Sequence, residues 1–123
     1  MKFHLSINPG QNIFTAHGAG YVQVNELRYE QPIIVTPGQV LKDWPARSFA
    51  SLTEEDFGHF LTLKPEVLIL GTGDQHRFAH PQLYRALTAA GIGVEFMSTP
   101  AACRTYNILS VEDRKVVAGI LFE

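Results

Sequence analysis

Val67-Leu68-Ile69-Leu70 is an unbroken apolar run set between Lys64-Pro65 and Gly71. A strand that alternates apolar and polar residues can leave one face in water. An uninterrupted run cannot, so it belongs to a strand buried on both faces, as in a parallel sheet covered on either side. The run is also far too short to cross a bilayer, which takes roughly 20 apolar residues. Any fold of this chain must therefore place that strand inside the sheet and cover it twice.

The flanking segments provide the means. Thr53 stands as a hydroxyl cap before Glu54, Glu55 and Asp56, acids that suit the positive end of a helix. Phe57, Phe60 and Leu61 follow at helical spacing, and Lys64-Pro65 stops the helix because proline cannot continue it. After the run, Pro81 opens a second predicted helix with Leu83, Ala86, Leu87 and Ala90 facing inward. Gly91 stands where a left-handed C-cap belongs. Ile92–Met97 reads as a strand, Thr99-Pro100 as an N-cap with proline at the first helical position, and the third helix runs to about Leu109. Val116–Phe122 closes the chain as a strand. From residue 53 the order is α-β-α-β-α-β, which implies right-handed crossovers and parallel neighbours.

The first 50 residues differ. Pro9-Gly10, Gly18-Ala19-Gly20, Pro32 and Pro37-Gly38 break them into short runs. Phe3, Leu5 and Ile7 alternate, as do Tyr21 and Val22-x-Val24, Leu27 with Tyr29, and Val40-x-Lys42-x-Trp44; Ile33-Ile34-Val35 is β-branched throughout. These are short, mostly antiparallel strands joined by tight turns. The expected fold class is α/β, with one domain over residues 1–123. It is a single layered β/β/α domain, its mixed sheet carrying parallel βαβ crossovers in the C-terminal half and an antiparallel N-terminal layer folded against it.

Composition excludes several functions. Hydrophobic residues make up 46% of the chain against 18% charged, which suits a dense core with a sticky face and excludes a disordered tail. A net charge of −2, with no basic stripe and interleaved aromatics, leaves no footprint for nucleic acid or an anionic membrane. The lone cysteine, Cys103, forms no intrachain disulfide. Met1-Lys2-Phe3-His4-Leu5 lacks the long apolar run of a signal peptide, so a cytoplasmic location without membrane insertion is expected.

In open parallel sheets, ligands bind at the carboxyl ends of strands beside helix N-termini. Two such ends occur here, Gly71-Thr72-Gly73-Asp74 and Ser98-Thr99 through Cys103-Arg104. If their strands are neighbours, both loops face one cleft. Glycine amides, the hydroxyls of Thr72, Ser98 and Thr99, and the charges of Arg77 and Arg104 would suit a small anion. The structural reading stands beside it: glycine after a buried strand simply makes the turn, and Ser98 and Thr99 serve as caps. Cys103 lies early in a helix beside Arg104, which would lower its pKa, yet no His-Asp partner is identifiable and packing is the plainer account. Arg104 has Glu95 or Asp74 as candidate partners. Asn107 lies four residues after Cys103 in a helix interior that disfavours it. It is expected to be largely buried, its amide bonded to backbone of another segment, either the Gly71–Asp74 loop or the Ser110–Asp113 turn. No Walker A loop is present, and the last position of a dinucleotide fingerprint is His76, so no cofactor is expected. His76 and His80 precede the helix at Pro81 and lack further ligands, so no metal is expected.

Taken together, Leu68-Ile69-Leu70-Gly71-Thr72-Gly73, then Gly91-Ile92-x-Val94-Glu95-x-Met97-x-Thr99-x-Ala101-Ala102-Cys103-Arg104-Thr105-Tyr106-Asn107-x-Leu109, then Glu112-x-Arg114, resemble one family of small domains. It includes the mitochondrial respiratory complex I assembly factor 3 and an adipogenesis-associated MTH-domain protein, with many bacterial and archaeal members. Phe14 and Gly20-Tyr21 look like that family's opening strands. The resemblance implies a single β/β/α layered domain and no particular activity. The expected function is a non-catalytic protein-interaction or assembly-type factor with a protein partner, self-association being compatible with it. Tyr21, Tyr29, Trp44 and Phe49 are candidates for its contact surface or for a second core layer. The alternative is a binder of, or an enzyme acting on, a small anionic molecule in the cleft.

Overall fold

The structure, a computed structural model, describes residues 11–122. The alternating Phe3, Leu5 and Ile7 lie outside the described residues. The apolar run forms β6 (Val67–Thr72), and all six of its residues are buried. It is flanked on both sides by parallel strands, β7 (Gly93–Met97) and β8 (Val116–Leu121). Two antiparallel strands, β4 (Ile33–Val35) and β5 (Val40–Leu41), extend the sheet beyond β8, in the order β5-β4-β8-β6-β7. The parallel crossovers thus form as predicted.

The N-terminal half does not stay together as one layer. A separate antiparallel sheet holds β1 (Phe14–Gly18), β2 (Tyr21–Val24) and β3 (Leu27–Tyr29), whereas β4 and β5 join the main sheet. Side-chain pattern explains the division. Ile33, Ile34 and Val35 are all buried, and three consecutive buried residues need cover on both faces. Val22 and Val24 are buried while Tyr21 and Gln23 are half-buried, so β2 needs cover on one face only.

Period two gives each face of the main sheet its own core. Leu68, Leu70 and Val117 point to one side, where Trp44, Phe57 and Phe60 cover them. Val67, Ile69 and Ala118 point to the other, against Tyr106, Phe14 and Val22. Trp44 is therefore a core residue rather than a contact surface. Only Val40–Leu41 of the predicted run to Trp44 is strand, because Trp44 turns in under the sheet.

Helix α1 (Glu54–Gly58) begins as predicted. Thr53 Oγ1 accepts from the Asp56 amide at 3.2 Å while the Thr53 amide donates to Asp56 Oδ2 at 3.0 Å, a complete capping box. It ends much sooner than Lys64. The Trp44 indole donates to the Asp56 carbonyl at 3.0 Å, the acceptor that Phe60 would use to continue the helix. The Phe60 amide bonds to Phe57 O instead, and single turns carry the chain to Leu63.

The second predicted helix is a single 3-10 turn (Pro81–Tyr84) followed by α2 (Arg85–Ala89). Leu87 is buried and Leu83 half-buried, but Ala86 and Ala90 are exposed. The change of pitch after Tyr84 rotates the apolar face, so a stripe drawn at constant 3.6-residue spacing misplaces both alanines. Gly91 takes the left-handed conformation, φ +83°, as predicted. Helix α3 (Thr99–Val111) is capped by Ser98, whose Oγ accepts from the Ala101 amide at 3.4 Å, so Thr99 is helical and not the cap.

Candidate functional site

The carboxyl ends of β6 and β7 and the start of α3 do come together. Gly71 and Thr72 belong to the strand and not to the loop, since their ladder continues to Ile120 and Leu121 of β8. Gly71 lies directly beneath α3. A methyl group there would stand 2.9 Å from Thr99 Oγ1, 3.1 Å from Thr99 Cα and 3.2 Å from Ala102 Cβ, so only glycine lets the helix settle this close.

Thr99 joins three elements because Ser98 has taken over the capping. Its hydroxyl accepts from the Gly73 amide at 2.9 Å and donates to the Leu121 carbonyl at 2.6 Å, and its amide donates to Gly73 O at 2.8 Å. Thr72 does the same for the next turn. Its Oγ1 lies against the carbonyls of Gln75 and Met97 and accepts from the Arg77 amide at 3.2 Å. The groups that a small anion would need are thus bonded to one another. The space left between Gly73, Asp74, Thr99 and the tip of the β1–β2 hairpin at His17 is about 20 Å³. One water needs roughly 10–15 Å³, whereas small-molecule pockets span about 300–1,000 Å³.

The nine candidate residues fall into two places. Gly71, Thr72, Gly73, Asp74 and Thr99 surround the closed strand end, with Ser98 capping beside it and Asp74 exposed. Cys103, Arg104 and Asn107 lie a turn or two further along α3, beside an open groove of about 370 Å³ against β1. Arg104 is exposed and pairs with neither Glu95 nor Asp74; among the described residues the ion pairs are Arg28–Glu30 and Arg114–Glu66. Of the two histidines, His80 caps the 3-10 turn through Nδ1, accepting from the Gln82 amide at 3.1 Å.

Asn107 bonds the backbone of another segment, but that segment is β1. Its Nδ2 donates to the Phe14 carbonyl at 2.7 Å and its Oδ1 accepts from the Phe14 amide at 2.9 Å. The carboxamide thus replaces a strand partner at the open edge of β1, and the side chain is half-buried rather than largely buried. Asn107→Leu, similar in size, leaves both Phe14 groups without their partner and is expected to cost about 1–3 kcal/mol. Hydrogen exchange at the Phe14 amide should accelerate with it; an unchanged exchange rate would show that β1 holds without the clamp.

Cys103 is 1% exposed on the inner face of α3. Burial pushes its thiol up to about 12 from an ordinary 9.0, against the smaller opposing pull of the Arg104 guanidinium. Such a thiol is no nucleophile at neutral pH. Alkylation of native protein at neutral pH is expected to proceed only at the rate of unfolding, and labelling as fast as that of an unfolded control would contradict it. The raised value also sets a sign. Its stabilising contribution is complete below about pH 9 and disappears as pH rises toward about 12, since the unfolded chain releases that proton first. Burial raises Tyr106 in the same direction.

One surface feature escapes the periodic patterns. Phe78, in the loop after β6, is 73% exposed. Its ring lies tilted against His76, with centroids 4.5 Å apart, and meets Phe96 edge-on at 6.0 Å. It lies outside any amphipathic stripe, and its only local signal is an aromatic between Arg77 and Ala79-His80 in a non-helical stretch. Tyr21, Tyr29 and Phe49 are half-buried.

These features define a class: a layered α/β domain whose strand-end cleft is filled by its own hydrogen bonds. The chain belongs to the family described as protein of unknown function (DUF498/DUF598), which matches residues 14–121. Among curated relatives, NADH dehydrogenase (ubiquinone) 1 alpha subcomplex assembly factor 3 of Bos taurus is 38% identical over 104 residues, covering 83% of this chain and 55% of that protein. The chain thus spans about half the length of that relative. A crystal structure of a Bordetella parapertussis protein superposes with a TM-score of 0.87 at 41% identity, covering 93% of this chain and 98% of that one. A solution structure from Bordetella pertussis, described as a Mth938-like domain, gives 0.83 at 34% identity over 98% and 92% of the two chains.

Proposed function

We propose that this chain is a non-catalytic protein-binding module that assists the assembly of other proteins, acting in the cytoplasm. The observation that carries the reading is the Gly73–Thr99–Leu121 hydrogen-bond set, which uses for structure the amide and hydroxyl that a strand-end ligand would require. A function for this fold then falls to its outer surface. The assembly factor of Bos taurus shares this domain, and its name supplies the kind of partner: subunits of a multi-subunit complex, NADH dehydrogenase first among them. Among the described residues no helix is long and apolar enough to cross a membrane. At the strand end the anion-binding alternative would have to fit its ligand into about 20 Å³, which leaves it only the open groove beside Cys103, Arg104 and Asn107.

The test is affinity capture of the tagged full chain from the cells that make it, with and without cross-linking. Stoichiometric recovery of subunits of one complex, together with less of that complex on native gels when the chain is deleted, is the expected result. Capture of no stoichiometric protein under either condition overturns the reading.

A further inference from the structure

We infer that Phe78 is the anchor by which this chain engages its protein partner, and that the partner offers an apolar socket rimmed with carboxylates. The inference rests on the protein-binding reading above and adds to it where contact is made and with what chemistry.

The argument begins with cost. A phenylalanine left 73% exposed forgoes most of the stabilisation its burial would bring. The loop that carries it is nevertheless held firmly. The Arg77 amide is bonded to Thr72 Oγ1, Gly73 is bonded to Thr99, and His80 caps the turn that follows. The ring is shelved on His76 and on Phe96, which itself packs against Tyr84 at 5.2 Å. The side chain is thus presented outward in one place, and binding has little ordering left to impose. Rigid aromatics of this kind anchor interfaces when they enter a desolvated pocket.

Charge selects the partner. Segment 74–85 carries two arginines, Arg77 and Arg85, against one acid, Asp74. Arg77 leans over the Phe49 ring at 5.8 Å, and neither arginine has a carboxylate partner among the described residues. His80 and Arg85 line one open hollow of about 340 Å³. Of the acids on neighbouring elements, Glu54, Glu55 and Asp56 head α1 and face the positive end of that helix, and Glu95 precedes Phe96 on β7. A socket with an acidic rim complements this arrangement and would find it faster at low salt. A single protruding ring is too little apolar surface for a bilayer, which takes a broad amphipathic face.

The experiment places p-benzoylphenylalanine at position 78 of the full chain, with a second version at Leu27, 63% exposed on β3, as the control. Irradiation in the producing cells should give one protein adduct at 78 and none at 27. The adduct partner, purified, is then titrated with wild-type chain, Phe78→Ala, Phe78→Trp and Arg85→Glu, each checked for an unchanged denaturant midpoint. Phe78→Ala should weaken binding about thirtyfold and Phe78→Trp only a few-fold. Arg85→Glu should weaken it more at low salt than at high salt. Absence of an adduct at 78, or Phe78→Ala binding within twofold of wild type, overturns the anchor. If the capture described above still recovers complex subunits in that case, the assembly reading survives and only the anchor fails. Phe78-dependent sedimentation with phosphatidylserine vesicles, without a protein adduct, overturns it in favour of a membrane surface.

Discussion

Gly71→Val is expected to lower the stability of the domain by about 3 kcal/mol or more, enough to leave a small domain marginally folded. The added atoms meet the backbone of Thr99 at 3.1 Å as well as its side chain, so no rotamer change relieves the contact. Helix α3 must lift from β6, and lifting it stretches the Thr99 bonds to Gly73 and Leu121. Gly71→Ala, with one methyl at the same distances, should fall between wild type and valine. Denaturant midpoints of the three proteins check the order. A valine variant within 1 kcal/mol of wild type would mean that α3 can slide without cost and that the Thr99 bonds to Gly73 and Leu121 do not hold it in place.

Thr99→Val should cost about 2–4 kcal/mol although the two side chains have nearly the same shape. The loss is chemical. Valine leaves the Gly73 amide and the Leu121 carbonyl buried with no partner where one hydroxyl served both. Each orphaned group costs roughly 1–3 kcal/mol unless water reaches it. Thr99→Ser keeps the hydroxyl and should lose less than about 1 kcal/mol, chiefly for the missing methyl. Equal midpoints for the serine and valine variants would show that the hydroxyl contributes nothing and that a water takes its place in the small cavity. Thr99→Ser keeps the bond to Gly73 that helps hold the Phe78 loop and should leave the partner's affinity unchanged, whereas Thr99→Val removes it and should weaken binding even in the fraction that remains folded.

The two sites differ in how far the residues alone reveal them. Cys103 and Asn107 stand out in sequence because each sits oddly on a helix, yet what each touches is not local. Asn107 clamps a strand 93 positions earlier, and the segments nearest to it in the chain play no part. Thr99 looks like a cap because threonine before proline usually is one, and only the neighbouring Ser98 shows otherwise. Phe78 obeys no period at all. The exposure of a loop aromatic is a property of the packed molecule.

Local chemistry by itself determined the backbone plan. The unbroken run of β6 demanded a doubly covered strand, Thr53 and Asp56 started α1, Gly91 ended α2, and the strand–helix alternation after residue 53 made the crossovers parallel. Those signals act over one turn or one ladder step, within reach of neighbouring residues. Only the tertiary structure decided where α1 stops, which sheet receives Ile33–Val35, and what fills the strand-end cleft. In each case the deciding group comes from elsewhere in the chain: the Trp44 indole at the Asp56 carbonyl, β8 beside β4, the Leu121 carbonyl at the Thr99 hydroxyl. A hydrogen-bonding group shows in the sequence what it can bond, but the partner it takes is whichever one the packed layers bring within about 3 Å.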